Sequence, residues 1–374
     1  MGASAEISVI VPVYNMAAED RLKWCMDSLV GQTVAAKTPG AMEIIAVDDC
    51  STDDSLEILK DYERRYPELV HVIASPENRC QGGAKNLGLA AARGAWIGFI
   101  DADDWVTPDY YERLLDTAGK TGADMVGCDY SLVYQHTMTP GERVPNNTPE
   151  QTGVLDDNKY RLLLLDSGSL VTKIYRRSII FGNERPSDQE NSGTFPERIF
   201  YEDNAVANTW MLRATCFAYI PEALYFYLQH DASTVHTLSE RHLNDRLEAG
   251  RLMLAAAREG NYLERYRPEI EFLFTNLFFR NTLFSAMAVY RDGKKAAGSL
   301  RTRTFASGET VFAFAKRLAK EMHACFPDFQ DNRYYRERID AEEKGFMALL
   351  MKSPMLFFIK YRLLYYYRRL RYRN

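Results

Sequence analysis

No CxxC pair occurs in this 374-residue chain, and its six cysteines (Cys25, Cys50, Cys80, Cys128, Cys216, Cys325) lie scattered. That pattern excludes a zinc ribbon and reads as reduced thiols, not as a disulfide frame. No apolar run approaches the ~20 residues needed to span a bilayer. The opening Met1-Gly2-Ala3-Ser4-Ala5-Glu6 lacks the charged start of a secretory signal and runs straight into strand-like sequence, so a cytoplasmic chain is expected. No GxGxxG follows the first strand and no Walker A pattern occurs, which disfavours NAD-linked and P-loop readings. There is no general basic excess either, since the net charge is −5. The seven Lys and Arg from Lys352 onward meet no acid, leaving 39 basic against 51 acidic residues in the remainder, a net −12. A body of that sign does not suit general nucleic-acid binding, and no nucleic-acid partner is expected.

What is present begins with length, which is more than one core's worth and predicts two or three subdomains. Ile7-Ser8-Val9-Ile10-Val11-Pro12-Val13-Tyr14-Asn15 reads as a β-branched strand ending in a turn. Residues 20–30 follow with helical spacing, and Glu43-Ile44-Ile45-Ala46-Val47 forms a second strand ending at Asp48-Asp49. A helix over 56–66 and a strand over 71–74 come next. Asn78-Arg79-Cys80-Gln81-Gly82-Gly83-Ala84-Lys85-Asn86 then reads as a connection before a helix from Leu87 to Arg93. The apolar run Ala95-Trp96-Ile97-Gly98-Phe99-Ile100 stops at Asp101-Ala102-Asp103-Asp104. This alternation predicts a parallel α/β sheet with right-handed crossovers. Ligands of such sheets bind beyond the carboxyl ends of strands, and acids placed there can hold a hard divalent cation. An Asp-rich turn capping the helix that starts near Pro108 is the plainer alternative.

Four segments carry a resemblance: Val11-Pro12-Val13-Tyr14-Asn15, Val47-Asp48-Asp49-Cys50-Ser51-Thr52-Asp53, Gly83-Ala84-Lys85-Asn86-Leu87-Gly88 and Phe99-Ile100-Asp101-Ala102-Asp103-Asp104-Trp105. In that order and spacing, residues 7 to about 130 resemble the inverting family 2 glycosyltransferases. The resemblance implies a GT-A fold, a Rossmann-like mixed sheet flanked by helices, and a nucleotide-diphospho-sugar donor, UDP-linked by family frequency. It implies that Pro12, Val13, Tyr14, Asn15 and Asp49 line the base and ribose side, and that Asp101, Ala102 and Asp103 form the DxD motif. Asp103, with Asp101, would coordinate Mg²⁺ or Mn²⁺. Lys85 stands where the family usually has Arg and would meet the phosphates as a point charge; a surface lysine is its plain reading. Cys50 replaces a common Gly.

Gly168-Ser169-Leu170-Val171-Thr172-Lys173-Ile174-Tyr175-Arg176-Arg177 and Phe200-Tyr201-Glu202-Asp203-Asn204 are similar to segments of capsule, exopolysaccharide and lipopolysaccharide transferases. That implies Asp203 as catalytic base with Glu202 beside it, although a helix N-terminus also favours two acids. The aromatic segment Ile220 to His230 resembles the strand that follows. Relatives often carry Arg at the positions of Leu228 and His230, so His230 or His236 would stand in for a phosphate-binding cation or ligate the metal.

From residue 238 the spacing is helical, and the aromatic run 272–279 reads as core. The expected division is therefore 1–237 (nucleotide-sugar side 1–105, acceptor side 106–237), a helical subdomain 238–350 and a basic aromatic tail 351–374. The tail suits an anionic membrane surface, which would place the enzyme at the inner face of the plasma membrane; a docked helix or homo-oligomer contact is the alternative. The expected activity is sugar transfer to a glycan or lipid-linked acceptor for a bacterial surface polysaccharide. A catalytically silent scaffold of the same fold is the other reading. A nucleotidyltransferase is disfavoured, because the first strand is not followed by a Gly-rich basic loop.

Overall fold

The computed structural model describes residues 5–182, 195–230, 239–292 and 304–371. The chain divides into two compact units, Met1–Ser233 and Thr234–Asn374.

In the first unit, strands β1 (Ile7–Val13), β2 (Met42–Asp48), β3 (Val70–Ala74) and β4 (Trp96–Phe99) alternate with helices α1 (Arg21–Val30), α2 (Thr33–Lys37), α3 (Ser55–Arg65) and α4 (Cys80–Ala91). Then come β5 (Trp105–Val106), α5 (Tyr110–Thr121), β6 (Met125–Val133), β7 (Glu142–Val144) and β8 (Gly153–Val154). The unit closes with α6 (Asp157–Leu165), β9 (Lys173–Arg176), α7 (Arg177–Phe181), α8 (Glu202–Met211) and β10 (Cys216–Leu228). The sheet order is β3-β2-β1-β4-β9-β6-β10-β5, with β7 on β6 and β8 on β10. The first four strands are parallel, as the alternation requires. β9 inserts antiparallel between β4 and β6 and makes the whole sheet mixed.

β1 and β2 are buried along their whole length, because helices cover both faces. Val9, Val11, Ile44 and Ala46 pack with Leu22 and Met26 of α1 on one side. Ile10, Ile45 and Val47 pack with Ala84 and Leu89 of α4 on the other. Pro12 in this inner strand costs no ladder bond. It faces the same side as Ile10, whose carbonyl accepts from Ile100 N at 3.2 Å, and the β4 register against β1 ends at Ile10–Phe99. There the chains part.

One boundary differs from the sequence reading. α4 starts at Cys80, not Leu87, so Gly82 and Gly83 are helical. Glycine disfavours helix by about 1 kcal/mol relative to Ala, but a Cβ at Gly82 would collide with the Pro196 carbonyl oxygen. Long-range packing overrides local propensity here.

The second unit is helical: α9 (Glu240–Glu259), α10 (Tyr262–Arg265), α11 (Arg267–Leu273), a π-helical stretch Phe274–Arg280, α12 (Asn281–Asp292), α13 (Val311–Cys325), α14 (Arg333–Arg338), α15 (Ala341–Lys352) and α16 (Pro354–Arg371). Phe274, Phe278, Phe279 and Phe329 are buried, so the aromatic run is core. Phe357 and Phe358 of α16 are buried against Phe346 and Phe312, with ring centroids 5.9 and 5.3 Å apart. Among the described residues no helix is long and apolar enough to cross a membrane.

Candidate active site

Strand order reverses direction between β1 and β4, and ligands of open α/β sheets bind at such a point beyond the strand ends. At the β1 end, Tyr14 is exposed and Asn15 takes a left-handed φ of 55°. Asn15 ties this turn to the one after β2, since its Oδ1 accepts from Thr52 N at 2.8 Å and its N donates to Ser51 Oγ at 3.0 Å. Asp49 N donates to Val13 O at 2.8 Å. The Asp49 side chain is buried, and its Oδ1 accepts from Arg79 N at 2.8 Å. Burial raises its carboxyl above the ordinary range, against the pull of the Arg79 and Cys80 amides. Cys50 keeps the left-handed turn, with φ 61°, that a glycine would adopt freely.

The acids after β4 divide into two kinds. Asp104 is buried; its Oδ2 accepts from Tyr225 Oη at 2.6 Å and its Oδ1 from Leu228 N at 2.9 Å. Both partners lie on β10, so Asp104 fastens the turn. The buried Ala102 faces inward beside it. Asp101 and Asp103 are held more loosely. Asp101 Oδ1 accepts from Gln81 Nε2 at 2.8 Å, and Asp103 Oδ2 lies 2.9 Å from His230 Nε2. Their other oxygens, Asp101 Oδ2 and Asp103 Oδ1, accept no hydrogen bond among the described residues.

α4 brings a third wall. Asn86 clamps Phe195, donating from Nδ2 to its carbonyl and accepting its N–H, both at 2.9 Å. Lys85 is not on the surface: only 2% of it is exposed, its Nζ pairs with Glu202 Oε1 at 2.7 Å, and it lies 5.3 Å from the Phe195 ring centre. Glu202 and Asp203 occupy the first turn of α8, preceded by Tyr201 in a left-handed conformation with φ 65°. Asp203 Oδ1 accepts from Asn204 N at 2.8 Å.

These groups feel one another. Burial pushes Asp101 up to about 7; Lys85 opposes this, while Asp103, Glu202 and Asp203 add to it. Asp203 is raised by burial and by Glu202, again opposed by Lys85. Burial would lower Lys85, but Glu202, Asp101 and Asp203 together hold its amine above the usual range. The fold therefore unites Asp101, Asp103, Lys85, Glu202, Asp203 and His230. Pro12, Val13, Tyr14, Asn15 and Asp49 form the neighbouring strand ends. His236 and the rest of 231–236 lie outside the described residues.

No group of three or more His, Cys, Asp or Glu is arranged as a complete metal shell among the described residues. Mg²⁺ commonly takes one or two carboxylates and completes its shell with water and substrate phosphates, and Mn²⁺ favours the same oxygen donors. Asp101 and Asp103, each with an oxygen to spare, fit that kind of ion.

Sequence reasoning missed Gln81, Asn86, Asp104 and Tyr225. Gln81 could have been found, since it precedes Lys85 by four residues and so shares its helical face, once α4 is extended to Cys80.

A family model for glycosyl transferase family 2 matches residues 8–180. The uncharacterized glycosyltransferase YibD of Escherichia coli K12 is 31% identical over 65% of this chain and 68% of its own length. The putative glycosyltransferase EpsH of Bacillus subtilis 168 is 31% identical over 71% of this chain and 73% of its own. The crystal structure of S. aureus TarS 1–349 in complex with UDP-GlcNAc matches with a TM-score of 0.55 at 21% identity, covering 89% of this chain and 92% of that one. That last likeness is one of fold. The chain therefore belongs to glycosyltransferase family 2, with a GT-A sheet and a helical C-terminal region.

Proposed function

We propose that the protein is an inverting transferase that moves a hexosyl or N-acetylhexosaminyl group from a UDP-sugar to a hydroxyl of a glycan or lipid-linked acceptor in bacterial cell-surface polysaccharide synthesis. The observation that carries this reading is the convergence of Asp203, on the first turn of α8, with the Asp101–Asp103 turn around the buried Lys85. The UDP-GlcNAc bound by TarS supports the donor class. The segments around Lys173 and Asp203, similar to those of capsule and exopolysaccharide transferases, support the polymer class.

Asp203 takes the proton of the acceptor hydroxyl as that oxygen bonds to the anomeric carbon and the bond to the diphosphate breaks. A carboxylate whose pKa is raised is a stronger base than an ordinary aspartate, and general-base assistance is worth about 10²- to 10⁴-fold. Glu202, paired to Lys85, fixes the helix turn that carries Asp203. Lys85 adds positive charge on the diphosphate side without the two-pronged contact of an Arg. Asp101 and Asp103 would hold Mg²⁺ or Mn²⁺, which supplies charge to the departing diphosphate. His230 keeps Asp103 oriented, and Pro12, Val13, Tyr14, Asn15 and Asp49 border the nucleoside.

Asp203→Asn tests the base. Transfer should fall by about 10²- to 10⁴-fold, while calorimetric titration with UDP and Mn²⁺ gives unchanged affinity. Wild-type turnover in that variant would remove Asp203 from the role. If none of UDP, GDP, dTDP and CDP binds the wild type with Mn²⁺ present, the silent-scaffold reading takes its place.

A further inference from the structure

Among its described side chains, α16 is buried on one face and exposed on another. Phe357 and Phe358 are buried, whereas Leu356, Ile359, Leu363 and Tyr367 are 48%, 45%, 65% and 57% exposed. At 100° per residue these four fall within about 80° of one another, so they form a single apolar stripe along the helix. Lys360 and Arg371 border it on one side and Arg362 on the other, and all three are exposed. Lys360 lays its chain down so that Nζ sits 5.1 Å from the Phe346 ring centre. Exposed apolar side chains scattered singly need no explanation, but a stripe with cationic borders on a segment free of acids has a definite complement. An interfacial helix buries its apolar face at the boundary of headgroups and acyl chains while its cations meet anionic lipid. The 18 residues of α16 span about 27 Å, which lets such a helix lie flat.

We infer that the Leu356–Ile359–Leu363–Tyr367 face of α16 is a docking surface for an anionic phospholipid membrane. The charge pattern favours lipid over a second copy of this chain: the remainder of each copy is acidic, but a contact formed by this stripe with itself would bring Lys360, Arg362 and Arg371 of both copies together. Attachment through this face does not require the helix to cross the membrane.

The test is co-sedimentation of the full chain with vesicles of phosphatidylcholine alone and of phosphatidylcholine with phosphatidylglycerol. Binding is expected only to the anionic vesicles, and it should weaken at high salt because surface charge is screened. Leu356→Ser/Ile359→Ser/Leu363→Ser should lower partitioning by at least about tenfold, since binding scales with the apolar area inserted. The three side chains are exposed, so the thermal melt and UDP affinity should stay as in the wild type. Equal binding to both vesicle types, or a triple variant that partitions like the wild type, would overturn the inference. So would a protein that ignores vesicles but sediments as a dimer which the triple variant dissociates, because the stripe would then serve a second copy.

Discussion

Lys85–Glu202 in the first unit and Arg280–Glu343 in the second are ion pairs of similar length, 2.7 and 2.6 Å, in opposite surroundings. The side chains of the first pair are 3% and 4% exposed, those of the second 29% and 25%. Arg251–Glu321, at 46% and 16%, follows the second pattern. Buried Glu269 of the second unit is satisfied by Tyr334 Oη at 2.6 Å and by Arg333 at 3.2 Å. In the first unit one buried ammonium faces several carboxylates: burial raises Asp101 and Asp203 against the pull of Lys85, and the carboxylates raise Lys85 against its own burial. Desolvating charge to that degree is a poor way to gain stability. It is a good way to make a base and a cation site, which is why perturbed groups mark functional centres.

The largest effect should come from breaking the buried pair. Lys85→Met leaves the Glu202 carboxylate without a partner and should cost about 3–5 kcal/mol. Arg280→Met should cost about 0–1 kcal/mol. All four tryptophans, Trp24, Trp96, Trp105 and Trp210, lie in the first unit, so their fluorescence during urea unfolding isolates the Lys85 effect, and circular dichroism follows the helical unit. Similar losses for the two variants would erase the contrast.

A smaller effect concerns pH. Asp101 is pushed up to about 7 from an ordinary 3.8, so the folded chain keeps this proton to higher pH than the unfolded chain. Its contribution to stability is fully present below about pH 4 and is lost as pH rises to about 7. Cation binding needs the carboxylate and runs the other way. Mn²⁺ affinity measured with UDP should fall up to about tenfold per unit as pH drops below 7. Asp101→Asn should bind weakly and flatten this dependence; a wild-type slope in that variant would assign the proton elsewhere.

The smallest effect is Cys50→Gly. The left-handed φ of 61° at Cys50 costs an L-residue roughly 1–2 kcal/mol, offset in part by the chain entropy of glycine. A net gain of about 1 kcal/mol or less is expected in the same fluorescence assay, and a loss would mean that the thiol itself contributes.

Much of the parallel half of the sheet was legible because apolar runs that end at acids mark buried strands. β2, ending at Asp48-Asp49, and β4, ending before Asp101, announce themselves this way, whereas β1 is read from its β-branched run alone. The start of α4 was hidden, since Gly82 reads as loop until Pro196 is seen against it. The three acids of the Asp101–Asp104 turn are equivalent as letters. Only Tyr225 and Leu228 separate the fastening acid, Asp104, from the two that keep an open oxygen. The pairing of Lys85 with Glu202 was equally invisible across 117 residues, as was the antiparallel insertion of β9, which no local pattern requires.

The straps that β10 and the residue His230 just beyond it lay over the Asp turn also set an order of assembly. Asp104 waits for Tyr225, 121 residues later in the chain, and Asp103 waits for His230, 127 residues later. At roughly 5–20 residues per second of synthesis, about 6–25 s separate the emergence of the turn from that of its fasteners. A nascent chain can thus pair β1 to β4 and begin burying its sheet while the carboxylates at the strand tip are still unfastened, and the turn is complete only once the residues that hold it have been made.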